Sequence, residues 1–465
     1  MAGQLTAGAA RVDITPPLTI PYLGFVPRHA LFEGVHDPLH ARAVVVGDGQ
    51  RRVGLVVADL IGVSRGLLGE GRDFVAEVRE RVERACGLGP ESVMVAATHA
   101  HSTPETAGIR RLLDHPGALE WLERLRDQLA DALVAADAAR RPVEARRIAG
   151  RVEGVGWSRR ILGKDGRLHK FLEGLADADV VDWGPYDDEL SVLRLEPLDG
   201  SAPIVLLHFT CHPTTVQVQP LVSADFPGVA ARLVEESGAQ CVYLQGAAGS
   251  VNPVGGTTGF DDVERYGQRL GSRGLDLAGH AVQPDWPAMP SRVGYATATL
   301  ELPSRELPPL ADVEAEHRQG VRAVEQAATE EEKSRARRAL LGKTERLERV
   351  RRGAQPLRAE VQALRIGEWA LVGVPGEPFA ELGLSLKHAT ASERALCVGY
   401  ANGWLGYIAP PSAWRRGGYE VSLGTWSLVG PAGFGMVLDA GRRLVDGLWR
   451  DGGDDGDAAR GAAPQ

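Results

Sequence analysis

The sequence predicts an α/β fold with a mixed sheet covered by helices on both sides. Three observations predict it. Short segments rich in Val, Leu and Ile recur along the chain, amphipathic helical patterns separate them, and the strand-like segments are apolar at nearly every position. Continuous apolar character marks strands buried on both faces, whereas a half-exposed strand alternates. The bulk properties agree: 465 residues, 44% hydrophobic and 24% charged, with 57 glycines that point to tight turns and not to a fibrous repeat. A chain of this length buries its own core without disulfides or oligomerisation. No repeat of about 20–50 residues suggests a solenoid or propeller.

Taken in order, ARAVVVG (41–47) and VGLVVADL (53–60) read as strands. A helix comes next, because Phe74, Val75, Val78, Val82 and Ala85 fall on one stripe. VMVAATHAH (93–101) is the next strand, and Leu122, Leu125, Leu129 and Leu133 mark the next helix. PIVLLHFTCH (203–212) and CVYLQG (241–246) are strands flanking a helix that begins in SADFPGVA, where Asp225 can cap and Pro227 suits the first turn. Residues 311–352 are dense in Glu and Arg, with Val321, Val324, Ala328, Leu340, Leu347 and Val350 near helical spacing. They predict a solvated helix or helical hairpin inserted in the domain, not a basic arm, since acidic residues interleave with the arginines. WALVGVPGE (369–377) is a late strand, and 399–420, rich in Gly, Asn and aromatics, reads as a site-forming loop. Residues 1–450 are thus expected to be one catalytic domain carrying the 311–352 insertion, and the polar, Gly-rich 451–465 a disordered tail. Strand order is not readable at this level.

Composition also excludes functions. A formal charge of −9 argues against nucleic acid as a partner, since neutralising phosphates needs a concentrated basic surface. Cys86, Cys211, Cys241 and Cys397 are scattered without a CxxC pair, so reduced thiols are expected and not a disulfide framework or thiolate cage. The first residues lack the basic start and apolar run of a secretory signal. No stretch approaches the roughly 18 apolar residues of a membrane span. A soluble, cytoplasmic protein acting on a small molecule is the expectation.

Candidate chemistry sits at strand ends. If the strand runs through VMVAATHAHS, His99 and His101 share a parity and project to one face, about 6.5–7 Å apart at Cα. An HxH pair alone fits satisfied histidines as well as a metal site. PIVLLHFTCHPTT places His208 and His212 by the same parity, with Pro213 ending the strand; His208 suits a hydrogen-bonded core position and His212 a ligand. Imidazole nitrogen and carboxylate oxygen are zinc donors, and Glu377, just past Pro375 and Gly376, is a carboxylate at another strand end. Tyr407 and Tyr419 could act as ligand, acid or oxyanion donor, or simply pack.

Together these segments resemble the catalytic domain of the neutral/alkaline non-lysosomal ceramidase family. The likeness covers roughly residues 6–449 and rests on AGAARVDITPP (7–17), VVADLIG (56–62), AATHAHS (96–102), CHPTTV (211–216), SADFPG (223–228), YLQGAAGSVNP (243–253), VPGEPF (374–379) and GYANGWLGY (399–407), in this order. Full-length members carry a carboxy-terminal immunoglobulin-like domain, which is not expected within these 465 residues. The resemblance implies one zinc ion held by His99, His212, Glu377 and Tyr407, with His101, Arg159 and Tyr419 lining the reacting centre. A serine proposed for catalysis in that family aligns with Asn252, so a serine nucleophile is not expected there.

An amide hydrolase acting on an N-acyl compound is therefore expected. Water activated by zinc attacks the carbonyl, His101 relays protons, and Arg159 and Tyr419 stabilise the oxyanion. His208 or Asp225 orients a ligand from behind. Three alternatives accompany this reading: an ester or lactone hydrolase or acyl-transfer enzyme on the same centre, a metal-binding protein without turnover, and a Cys211–His212 thiol hydrolase. Adjacent residues on a strand face opposite sides, which disfavours the last.

Overall fold

The computed structural model describes residues 3–22, 31–170, 176–283, 286–354, 356–389 and 395–450. The 451–465 tail expected to be disordered lies outside them.

Eight strands form the larger sheet: β1 (Thr6–Asp13), β2 (His40–Gly47), β3 (Arg52–Ala58), β4 (Val93–Ala97), β5 (Arg141–Arg151), β6 (Glu189–Pro197), β7 (Ile204–Phe209) and β8 (Gln240–Gln245). Their order is β8-β7-β6-β5-β1-β2-β3-β4. The edge pairs β8·β7 and β4·β3 are parallel and the inner pairs antiparallel. A second sheet contains β9 (Val293–Leu302), β10 (Leu357–Ile366), β11 (Trp369–Gly373) and β12 (Ala395–Val398) in that order, with β11·β12 parallel.

The two sheets pack face to face. Val44, Leu55, Met94 and Leu206 of the first meet Leu364, Trp369, Leu371 and Val398 of the second in one buried cluster. Period-2 alternation sends the intervening residues outward. There, Val45, Val56 and Val95 pack under α1 (Phe74–Cys86) and α2 (Ala118–Ala138). Val205, Leu207 and Tyr243 pack under α3 (Asp225–Glu236) and α4 (Phe260–Ala281). Helices α7 (Ala380–Ala389) and α9 (Gly433–Arg450) cover the outer face of the second sheet.

The expected mixed α/β architecture covered by helices is present, and its layers run helix–sheet–sheet–helix. A strand under a helix on one face and a sheet on the other is as apolar as one between two helices, so the pattern does not distinguish them.

Residues 311–352 hold α5 (Leu310–Gln326) and α6 (Glu330–Arg351), which run antiparallel through the Arg351–Glu314 and Arg346–Glu316 ion pairs. A capping box between Thr329 and Glu332 starts α6. A short helix, α8 (Pro411–Arg416), lies in the 399–420 segment. Among the described residues no helix is long and apolar enough to cross a membrane, and all four cysteines are free thiols.

Asp225 departs from the capping role expected of it. Ala224 takes the N-cap position, and Asp225 is the first helical residue at φ +54°. Its carboxylate accepts from Phe226 N–H at 2.7 Å and reaches across to Thr215 N–H at 2.9 Å, so it braces the loop after His212.

Candidate metal centre

The loops after β4, β7 and β11 converge at one end of the sandwich. β4 and β7 are far apart in the sheet, with β6, β5, β1, β2 and β3 between them. Coiling of the sheet, which brings β8 against β2 and β3, closes that gap. Backbone bonds then lock the loops: His99 N–H to Leu60 O at 2.9 Å, His101 N–H to Pro213 O at 3.3 Å, His212 N–H to Val251 O at 3.1 Å and Glu377 N–H to Gly406 O at 2.9 Å.

The strands stop earlier than the sequence suggests, at Ala97 and Phe209. Neither histidine pair is presented by strand parity. His99 and His101 converge because His99 takes a left-handed conformation, φ +68°. His208 and His212 part company: His208 Nε2 bonds the Cys397 carbonyl at 2.9 Å, whereas His212 is in the loop. Tyr400 and Asn402 also have positive φ. With Asp225, these are the positive-φ non-glycine residues described, and three of the four are site residues or neighbours packed against them. Such strain persists only where the surroundings enforce it.

His99 Nε2 lies 3.0 Å from His212 Nε2, 3.2 Å from His101 Nε2 and 3.4 Å from Glu377 Oε2, and His212 Nε2 lies 3.2 Å from the same carboxylate oxygen. The Nδ1 atoms of His99 and His212 each meet a backbone carbonyl at 2.6 Å, Ile61 O and Ala248 O respectively. A carbonyl only accepts, so Nδ1 carries the proton and Nε2 presents a bare lone pair. Two lone pairs and a carboxylate oxygen facing one another at these distances repel unless a cation lies between them. Bonds of about 2.0–2.1 Å in a tetrahedron put donor atoms about 3.3 Å apart, which is the spacing found. The three imidazoles form a group whose donor atoms lie within 4.8 Å of one another.

His101 differs from the other two. Its Nδ1 is buried with no hydrogen-bond partner among the described residues, and it is 9% exposed against 2% for His99 and 1% for His212. Burial, then His99 and His212, holds His101 well below the usual imidazole range. Burial and Arg159 bring His212 down to about 4. Both rings are therefore neutral near pH 7, the form that ligates metal or accepts a proton. Burial alone would raise the Glu377 carboxyl; positive charge on the side of His99 and His212, whether a proton or an ion in its place, brings it well below the usual range.

Tyr407 is placed beside Glu377 by a two-residue parallel pairing, Glu377–Pro378 with Tyr407–Ile408. Its ring lies under the Arg159 guanidinium at 5.2 Å and edge-on to Tyr419 at 6.1 Å. Arg159 donates to Glu420 Oε1 at 2.8 Å, Asn252 Oδ1 at 3.2 Å and Gly249 O at 2.7 Å. Arg160 grips the other oxygen of Glu420 and faces Phe379. Of the two adjacent arginines, Arg159 is therefore the one beside Tyr407. Tyr419 stacks on Trp426, centroids 4.7 Å apart. Gly249 is required here, since a Cβ would come within 2.4 Å of Glu377 O. Cys211 is buried, and burial together with Asp225 pushes its thiol well above the usual range, away from nucleophilic use.

Sequence reasoning did not single out Glu420, Tyr400 or Asn402. Tyr400 stacks on the His99 ring at 3.9 Å. Asn402 pins the same loop to β4 by accepting from Val95 N–H at 3.0 Å. Their signal was position, inside or next to the GYANGWLGY segment and Tyr419.

No family model matches the chain. A 77-residue stretch, 15% of the chain, is 38% identical to a neutral ceramidase of Mycobacterium tuberculosis, and covers 12% of that protein. The neutral ceramidase of Pseudomonas aeruginosa has a similar structure, with a TM-score of 0.70 at 19% identity over 97% of this chain and 75% of that one. A structure of ceramidase complexed with C2 gives 0.70 at 17% identity, over 96% and 76%. The expected resemblance to neutral ceramidases thus holds for the fold.

Proposed function

We propose, from this shared fold and the site within it, that the chain is a zinc-dependent hydrolase of an amide bond in an N-acyl compound. The observation that carries the proposal is the pair of carbonyl-anchored imidazoles, His99 and His212, turning bare Nε2 atoms toward each other and toward Glu377. His99, His212, Glu377 and the phenol of Tyr407 would hold the ion. Bound there, zinc supplies a polarised carbonyl and a water acidified to a pKa of about 7.

The chain's own residues do the rest. Tyr400 and the Ile61 and Ala248 carbonyls fix the ligand rings, a support that commonly tunes metal sites. His101, neutral and without a partner on Nδ1, takes a proton from the attacking water and returns it to the leaving nitrogen as the C–N bond breaks. Arg159, aimed by Glu420, Asn252 and Gly249, and the Tyr419 hydroxyl donate to the carbonyl oxygen as its negative charge grows. Asp225 keeps the loop after His212 in place, and His208 belongs to the inter-sheet packing.

The test is metal analysis and turnover of N-acyl amines, with esters and lactones as competing substrates. One zinc per chain and amide cleavage support the proposal. Faster ester or lactone cleavage would move the activity to that bond, and a zinc-loaded protein inert toward all three would leave a binding protein.

A further inference from the structure

The hairpin of α5 and α6 meets the loop beyond Tyr419 through a group of arginines that the proposed chemistry does not use. Arg305 donates from Nη1 to Val421 O at 3.0 Å, Ser422 O at 2.9 Å and Ser427 Oγ at 2.7 Å. Arg349 donates to Gly353 O at 2.8 Å and to Ser304 Oγ, beside Arg305, at 3.2 Å. Arg346, one turn earlier on α6, pairs with Glu316 at 3.4 Å and leaves 40% of its side chain exposed.

All three Nε atoms are buried without a hydrogen-bond partner among the described residues. Arg349 is only 2% exposed. Neither Arg305 nor Arg349 forms an ion pair with a carboxylate among the described residues, and the Nε–Nη2 edge of Arg305 is unused there. Burial, with Arg349 and Arg346 close by, brings Arg305 down to about 10. Like charges desolvated together are costly unless a counter-charge joins them. The planar Nε–Nη2 edge matches two oxygens of one anion.

We infer that Arg305, Arg346 and Arg349 form a binding site for one oxoanion, a carboxylate, sulfate or phosphate, between the helical hairpin and the loop carrying Tyr419 and Glu420. The anion is either a group on the substrate or a free ion. In both cases it neutralises the cluster and fastens the loop whose first residues flank Arg159. Anion binding there does not rest on the proposed hydrolysis, because it is measured without turnover.

The experiment is calorimetric titration of inorganic phosphate and sulfate into the zinc-loaded full chain, at fixed ionic strength with chloride as the balancing anion. One saturable site is expected, weakened about tenfold or more by Arg346→Gln, the loss of one charged hydrogen bond. Arg305→Lys, which keeps the charge and removes the planar edge, should also weaken it. A parallel comparison of substrates with and without an anionic group assigns the source. A KM that rises in Arg346→Gln only for the anionic substrate marks the substrate's own group; unchanged KM values with lost phosphate binding mark a free ion. The inference is overturned if wild-type protein does not distinguish phosphate or sulfate from chloride, a result that needs no variant to fold. It is equally overturned if folded Arg346→Gln binds phosphate as tightly as wild type.

Discussion

Each imidazole is defined by what holds its far nitrogen. His99 and His212 are each fixed at Nδ1 by a carbonyl, and His101 is not. His99→Ala and His212→Ala should each abolish both bound zinc and hydrolysis, measured by metal analysis and kcat. His101→Ala should retain the metal and lose about 10²–10⁴-fold in kcat, the usual contribution of a positioned proton carrier. Glu420 sets up a second contrast, because it is buried between Arg159 and Arg160. Glu420→Gln leaves two buried guanidiniums without their shared counter-charge and should cost about 3–5 kcal/mol, read as a lower denaturant midpoint at constant slope. His99, His101, His212 and Glu377 were legible as donors from residue type and nearness to strand ends. The left-handed His99 was not, since no rule predicts positive φ for a β-proximal histidine. Glu420 was also hidden, because one glutamate in a polar loop carries no mark of burial.

At the scale of elements, α1 and α2 are tied by a carboxylate whose titration is a handle on stability. Glu77 accepts two bonds from Arg72 at 2.8 and 2.7 Å and one from Arg126 on α2 at 2.7 Å. Arg72 first, then Arg126, bring its carboxyl to about 2 despite the opposing effect of burial. A group acidified by folding stabilises the native state fully above its unfolded pKa of about 4.3 and loses that contribution as pH falls toward the folded value. Unfolding free energy should thus fall between about pH 4.3 and 2 in part through Glu77, and Glu77→Gln should flatten this limb in acid denaturation curves. Gly249 tests the packing of loops on loops: Gly249→Ala forces a Cβ against Glu377 O and should lower activity by moving the carboxylate, with KM for the metal-loaded enzyme less affected than kcat. Helix positions were legible because a 3.6-residue stripe persists over many turns. Strand ends were not, since Thr98, His99, Thr210 and His212 are buried as deeply as the strands that lead into them.

The whole molecule joins two sheets whose shared core includes Trp369 and Leu371. Trp369→Ala, which empties a fully buried site between the sheets, should cost about 3–5 kcal/mol in chemical unfolding. Coiling of the larger sheet then does what no local pattern reveals, bringing β4 and β7 together across five intervening strands. The α/β class was legible from alternating patterns; the pairing of two sheets was not, because a neighbouring sheet and a covering helix demand the same apolar face. The central claim is that distant loops meet around one ion, and zinc X-ray absorption on the purified, stoichiometrically loaded protein tests it most directly. The account predicts one zinc per chain in a nitrogen and oxygen shell at about 2.0–2.1 Å with imidazole scattering, and no stoichiometric zinc in His99→Ala. Undiminished amide hydrolysis by protein stripped of all metal would contradict it.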